Sequence, residues 1–131
     1  MNVTNPAPPP AYSSELMNSP KLSFTRSEST PAGPLVLHLH GPLVMATTAD
    51  FQSGLRAETA QVLVLDFTNV PFVDSAGLGA LISIFLHYKT GGRKLALAGL
   101  NEKCRALLKM SNVENLFPTF ASVEAARSAL A

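Results

Sequence analysis

The sequence predicts an α/β protein, with a four- to five-stranded mixed sheet and about four helices packed on it. The chain has 131 residues, of which 47% are hydrophobic and 15% charged, as expected for one globular domain. Short apolar runs typical of buried strands alternate along the chain with segments of helical periodicity, which indicates βαβ units and parallel strands. Only a turn separates the first two strands, so they should form a hairpin-like start and make the sheet mixed.

Four segments are predicted strands. Residues 22–25 (LSFT) alternate in polarity and predict an edge strand that ends at the turn Pro31-Ala32-Gly33-Pro34. Residues 35–40 (LVLHLH) place their leucines on one face and Val36, His38 and His40 on the other. Residues 62–67 (VLVLDF) and 95–100 (LALAGL) are mainly apolar, as expected for parallel strands covered on both faces.

Helices are predicted between and after these strands. Thr47 and Asp50 fit the N-cap and N3 positions of a capping box, opening a helix that buries Phe51 and Leu55. The strongest helical pattern follows residue 75 and stops at Gly91-Gly92. Its apolar residues have i, i+3, i+4, i+7, i+8 spacing: Leu78, Leu81, Ile82, Phe85 and Leu86.

Two further helices have recognisable caps. Asn101 precedes a helix over residues 102–110, and Ser122 precedes a C-terminal helix. The first carries an apolar stripe of Cys104, Leu107 and Leu108, and the second one of Val123, Ala126 and Leu130. Residues 20–131 are therefore expected to form the domain.

Residues 1–19 have a different composition. They contain Pro6 and the run Pro8-Pro9-Pro10, and proline lacks the N–H that helices and central strands need. We expect a disordered, Pro-rich tail. The first residues contain no Lys or Arg and are broken by proline, unlike a secretory signal, and no apolar run approaches the roughly 20 residues of a membrane span. We therefore expect a cytoplasmic protein with no membrane span.

Charge and residue types exclude several function classes. Ten basic and nine acidic residues give a formal charge of +1, so we expect no nucleic-acid partner. His38 and His40 alternate on one strand face, but no third ligand has a suitable spacing, so we expect half-buried strand histidines and no metal. The sequence has no nucleophile elbow Gly-x-Ser-x-Gly, and we expect no catalytic residue, no cofactor and no enzymatic activity.

The segment FVDSAGLGAL (residues 72–81) lies where a buried strand leads into the strongest helix. Asp74 and Ser75 are both good N-cap residues. Gly77 and Gly79 each cost about 1 kcal/mol of helix stability relative to Ala. Two such residues in the first turns of a helix are unfavourable choices unless another group must approach the backbone closely there. Ile82 stands at the position of the third glycine in the dinucleotide-binding pattern Gly-x-Gly-x-x-Gly, and no Gly-Lys-Ser/Thr follows. The segment is therefore no nucleotide-binding loop.

Two interpretations of this segment remain open. In the first, Asp74 and Ser75 only cap the helix, and the glycines only allow close packing of helix and strand. In the second, the exposed helix start tolerates negative charge, so that the hydroxyl of Ser75 can receive a phosphate. A partner protein would then detect the added charge and bulk.

The stretch VLDFTNVPFVDSAGLGAL (residues 64–81) resembles the central signature of the STAS domain family, which sulfate transporters and anti-sigma factor antagonists share. The resemblance covers about residues 20–131 and includes LLKMS at 107–111, which is similar to the family's Leu-Phe-x-x-Ser/Thr-Gly segment. A free-standing chain of this size most resembles the bacterial anti-sigma factor antagonist (anti-anti-sigma factor) branch.

This resemblance implies partner switching controlled by phosphorylation. The position of the family's phosphorylated serine is Ser75, and the kinase would be the cognate anti-sigma factor, a serine protein kinase. The unphosphorylated antagonist would bind that anti-sigma factor and free a sigma factor, and phosphorylation would release it. The implied partner-binding residues are Asp74, Ser75, Ala76, Gly77, Leu78 and Gly79. We expect a monomer or weak dimer.

Two positions depart from the family pattern. Members usually carry Ser or Thr after the phosphorylated serine, where this chain has Ala76. The family's Gly-Glu-Leu-Asp turn, whose acidic residues face the partner, reads Gly41-Pro42-Leu43-Val44. These departures leave an alternative open: a non-phosphorylated STAS subunit of a lipid-transport or sensory complex.

Overall fold

The computed structural model describes residues 20–28 and 33–130. Within them, five strands form one sheet in the order β1-β2-β3-β4-β5. The strands are β1 (Ser23–Glu28), β2 (Leu35–His40), β3 (Val62–Asn69), β4 (Lys94–Ala98) and β5 (Thr119–Phe120). β1 runs antiparallel to β2 and every other neighbouring pair is parallel, which confirms the mixed sheet. β5 has only two residues and was not among the predicted strands.

Four α-helices connect or follow these strands in the described ranges, as predicted. They are α1 (Thr48–Arg56), α2 (Ser75–Thr90), α3 (Glu102–Met110) and α4 (Val123–Leu130), and a short 3-10 helix (Met45–Thr47) precedes α1. None of the helices in the described part of the chain is long and apolar enough to cross a membrane. The predicted Pro-rich tail, residues 1–19, and Pro31-Ala32 of the first turn lie outside the described residues.

The two faces of the sheet have different cores. The leucines of β2 and alternate residues of β3 and β4 form the larger core with buried residues of α1, α2 and α3. On the opposite face, Val36, Val64 and Ala98 pack against Ala126 of α4. The alternation predicted for residues 35–40 is confirmed, and three helices cover one face while one covers the other.

The apolar stripe predicted for α2 is partly wrong. Leu86 is 49% exposed, whereas Ile84 and Tyr88 are fully buried. α2 contacts both the sheet and α1, which accounts for the burial of Ile84 and Tyr88, whereas Leu86 faces solvent. The hydroxyl of Tyr88 donates to the carbonyl of Leu55 at 3.0 Å, which gives this buried polar group a partner in α1.

The capping box predicted at Thr47 is also wrong. Thr47 does occupy the N-cap position of α1, but its hydroxyl makes no capping hydrogen bond. Instead, Thr47 Oγ1 accepts from the N–H of Val44 at 2.9 Å and donates to the carbonyl of Pro42 at 2.9 Å. The 3-10 helix before α1 brings these groups within reach, so Thr47 stabilises the loop that precedes it.

The caps predicted for α3 and α4 are confirmed. Asn101 Oδ1 accepts from the N–H of Cys104 at 2.9 Å, and Ser122 Oγ accepts from the N–H of Ala125 at 3.1 Å. Burial of Cys104 in the core raises the pKa of its thiol. The amide of Asn101 also donates to the carbonyl of Pro71 at 3.0 Å, so the start of α3 lies beside the connection between β3 and α2.

His38 and Asp66 are hydrogen-bonded across β2 and β3, with 2.6 Å between Nδ1 and Oδ2. Burial alone would raise the pKa of Asp66, but hydrogen bonds from Thr68 and His38 outweigh it and hold this pKa below its usual range. Both His38 and His40 are partly buried, as predicted. Among residues 20–28 and 33–130, no group of three or more His, Cys, Asp and Glu side chains could hold a metal ion.

Candidate functional site

Residues 70–74 connect β3 to α2 and lie beside the loop that follows β2. Leu43 and Val73 form an isolated parallel bridge between these two connections. The N–H of Leu43 donates to the carbonyl of Phe72 at 3.1 Å, and the N–H of Asp74 donates to the carbonyl of Leu43 at 3.2 Å. The pairing of the two strands thus continues into their connections and fixes the backbone on which α2 begins.

Asp74 is the N-cap of α2, as predicted. Its Oδ1 accepts from the N–H of Gly77 at 2.7 Å, within the first turn of the helix. Its Oδ2 accepts from the N–H of Met45 at 3.0 Å, in the neighbouring loop. One carboxylate therefore satisfies N–H groups from two separate segments and joins the start of α2 to the start of the 3-10 helix.

Ser75 is the first residue of α2 and is exposed. Because Asp74 provides the cap, the hydroxyl of Ser75 is not needed for it, and it forms no hydrogen bond with another described residue. The first N–H groups of α2 and the helix dipole favour negative charge at this position. The geometry therefore provides an accessible hydroxyl in surroundings that tolerate an anion.

The two glycines of the turn have different environments. Gly77 is buried, and a Cβ there would collide with the carbonyl group of Leu43, so close packing explains this glycine. Gly79 is exposed, and an added Cβ would meet no atom within 4 Å in the described structure. Packing within the described chain therefore does not explain Gly79, which lies one helical turn after Ser75 on the same face.

The six predicted partner-binding residues divide by exposure. Ser75 and Gly79 are exposed and Asp74 and Ala76 are half-buried, whereas Gly77 and Leu78 face the core. The last two can shape the turn from within, and the first four form its surface. Partner binding by these six residues remains a prediction.

Sequence reasoning missed two neighbours of this turn. Met45 and Phe72 are 74% and 45% exposed, although both are large apolar residues. Phe72 follows a buried strand and Met45 precedes a helix, so their sequence positions are those of ordinary core residues. Phe72 lies three residues before Ser75 in the sequence, whereas only the pairing of the two connections shows that Met45 lies beside this turn.

The model of the STAS domain family matches residues 26–126. The chain belongs to the STAS domain family. A STAS-domain containing protein of Pseudomonas aeruginosa (strain UCBPP-PA14) is 26% identical over 98 residues, which cover 73% of this chain and 97% of that relative. An anti-sigma F factor antagonist of Paenibacillus polymyxa is 25% identical over 92 residues, covering 67% and 79% of the two chains.

The same fold is found in a crystal structure of an anti-sigma factor antagonist from Mycobacterium paratuberculosis. Its TM-score is 0.71 at 18% sequence identity, and the alignment covers 83% of this STAS domain protein and 93% of that chain. At this identity the likeness shows the fold alone. The predicted STAS fold is therefore confirmed from both sequence and structure.

Proposed function

We propose that this STAS domain protein is an anti-sigma factor antagonist. Unphosphorylated, it binds an anti-sigma factor that is a serine kinase and so frees a sigma factor, and phosphorylation of Ser75 releases it. The observation that carries this proposal is the exposed hydroxyl of Ser75 beside the capping carboxylate of Asp74. The name of the Paenibacillus polymyxa relative, an anti-sigma F factor antagonist, supports the same role.

The proposed modification is a phosphoryl transfer from ATP. The bond between Ser75 Oγ and the γ-phosphorus forms while the bond from that phosphorus to the β,γ-bridging oxygen breaks, and ADP leaves. The hydroxyl proton passes to a base of the kinase. This STAS domain needs to supply only a reachable hydroxyl, and the position of Ser75 at the surface satisfies that requirement.

The phosphate would change charge without unfolding the helix start. Asp74 is the only charged residue in segments 41–45 and 70–79, so phosphorylation changes their formal charge from −1 to about −3. Negative charge at a helix N-terminus is favoured by about 0.3–1 kcal/mol, which offsets part of the repulsion from Asp74. A partner seated on this surface would meet a new dianion on an otherwise unchanged backbone.

Phosphorylation of the purified 131-residue chain tests this proposal. The chain is incubated with ATP and each anti-sigma-type serine kinase encoded in the same genome, and mass spectrometry measures the stoichiometry and site of labelling. We expect one phosphoryl group on Ser75 with one of these kinases. Ser75→Ala should take up none, while Ser83→Ala, which changes another exposed serine of α2, should be labelled like the wild type. Undiminished labelling of Ser75→Ala would contradict the assignment.

A second candidate is a STAS subunit of a lipid-transport or sensory complex that works without phosphorylation. The observation in its favour is the loop at residues 41–44, which contains no acidic side chain, together with Ala76 beside Ser75. A pull-down that recovers a transporter ATPase and no kinase would support this candidate over the antagonist.

A further inference from the structure

Two exposed apolar side chains flank the turn that carries Ser75. Large apolar residues that are exposed in the described structure are Met45, Phe72, Leu86 and Met110. Single exposed apolar residues are ordinary on protein surfaces, but apolar residues grouped at one site indicate an interaction surface. Met45 and Phe72 lie on the two connections that pair beside Asp74, so both belong to the backbone around the same turn.

The backbone of both residues is fixed by the hydrogen bonds that hold the turn. The N–H of Met45 donates to Asp74 Oδ2 at 3.0 Å, and the carbonyl of Phe72 accepts from the N–H of Leu43 at 3.1 Å. Asp74 is therefore bonded to Met45 on one side and precedes Ser75 on the other. A partner that covers Ser75 would therefore meet the two backbone segments that carry these side chains.

The two segments that carry the pair contain a single charged residue. Residues 41–45 contain no charged side chain, and in residues 70–79 only Asp74 is charged, with its two oxygens already bonded to N–H groups of Gly77 and Met45. A charged side chain of a partner placed over Met45 would lose water, and Asp74 is the single charged residue of these two segments that could compensate that loss. Apolar groups would instead be buried favourably there.

We propose that Met45 and Phe72 form an apolar docking rim, which the anti-sigma kinase meets with an apolar, uncharged surface of its own. This inference rests on the proposed function and specifies the chemistry of the partner. It also explains why one phosphate would suffice for release, because a dianion on Ser75 would have to be desolvated beside an apolar contact.

Glutamine substitutions test the docking rim, because glutamine keeps a side chain about as long as methionine and removes its apolar character. Met45→Gln and Phe72→Gln are compared with Met110→Gln, a matched control at another exposed methionine (81% against 74% exposed for Met45). Met110 is the last residue of α3, and the nine residues of this helix separate it by about 13 Å from the start of the helix. That start lies beside Pro71, so Met110 is distant from the turn. The dissociation constant is measured with the kinase that labels Ser75, in the presence of ADP, so that no phosphoryl transfer occurs.

We expect Met45→Gln and Phe72→Gln each to weaken binding about tenfold, with Met110→Gln equal to the wild type. Circular dichroism and thermal unfolding identify any variant that fails to fold, and the other rim variant then decides the result. Wild-type affinity of a folded rim variant, or equal weakening by Met110→Gln, would overturn the docking rim and leave the phosphorylation proposal intact. If the wild type neither binds nor is labelled by any of the kinases, the proposed function fails, and the docking rim with it.

Discussion

The carbonyl oxygen of Leu43 occupies the space that a side chain on Gly77 would need. Gly79, two residues later, has open space at the equivalent position. Alanine at these two positions should therefore have opposite effects on stability. We expect Gly77→Ala to lower the free energy of unfolding by about 2 kcal/mol through overpacking, and Gly79→Ala to raise it by about 1 kcal/mol through better helix propensity. Urea denaturation of both variants measures the difference.

The same Gly79→Ala variant tests whether a partner approaches the helix backbone. If the kinase packs against this position, the more stable variant should bind it several-fold more weakly than the wild type, as titration calorimetry would show. Unchanged affinity would mean that Gly79 lies outside the contact. A loss of stability in Gly79→Ala would instead show that the space beside it is not open.

Asp74 should be important for the stability of the turn, because its carboxylate accepts from N–H groups of both Gly77 and Met45. Asp74→Ala removes both acceptors, and we expect it to lower the free energy of unfolding by about 2 kcal/mol. Asp74→Asn retains one acceptor oxygen for the N–H of Gly77 and should cost less. Chemical denaturation checks this order, and equal stability of Asp74→Ala and the wild type would contradict the double role of the carboxylate.

Ser75→Glu should separate partner binding from stability. The hydroxyl of Ser75 is not used in the cap, and a carboxylate at the first helical position interacts favourably with the helix dipole. We therefore expect a free energy of unfolding within about 0.5 kcal/mol of the wild type, together with at least tenfold weaker binding to the kinase. Destabilisation well above this range would indicate that the added charge acts by disrupting the helix start.

Asp66 should make stability depend on acid pH. Its pKa is lowered in the folded protein, so the stabilisation it contributes is present above the pKa of the unfolded chain and is lost as the pH falls through the folded pKa. Asp66→Asn should be less stable than the wild type near neutral pH, and the gap should narrow below about pH 4. Thermal melts of both proteins from pH 7 to pH 3 measure how their difference in stability changes with pH. A constant difference would show that Asp66 is not the source of the pH dependence.

Local sequence patterns predicted much of the fold. The alternation of Leu35 and Val36 and the caps at Asn101 and Ser122 depend on neighbouring residues, and all three are confirmed. Leu86 was assigned to the wrong face of α2, because this helix is apolar on more than one side and tertiary contacts decide which side is covered. β5 has only two residues and offers no periodicity to detect.

The candidate site was predicted only in part for a related reason. Asp74 as the cap and Ser75 as an exposed hydroxyl follow from the residues around them. The bridge between Leu43 and Val73 joins positions far apart in the chain, and no local pattern indicates it. That bridge gives Gly77 its structural role and brings Met45 beside the turn, so both facts required the structure.

The bridge between Leu43 and Val73 should also affect the affinity of a partner that binds at Ser75. A loop that fluctuates must lose conformational entropy when it is bound, and that loss subtracts from the affinity. Here the bridge and the carboxylate of Asp74 already restrict the backbone on both sides of Ser75. The surface proposed for recognition is thus preorganised, and a partner that binds there would cost little backbone entropy.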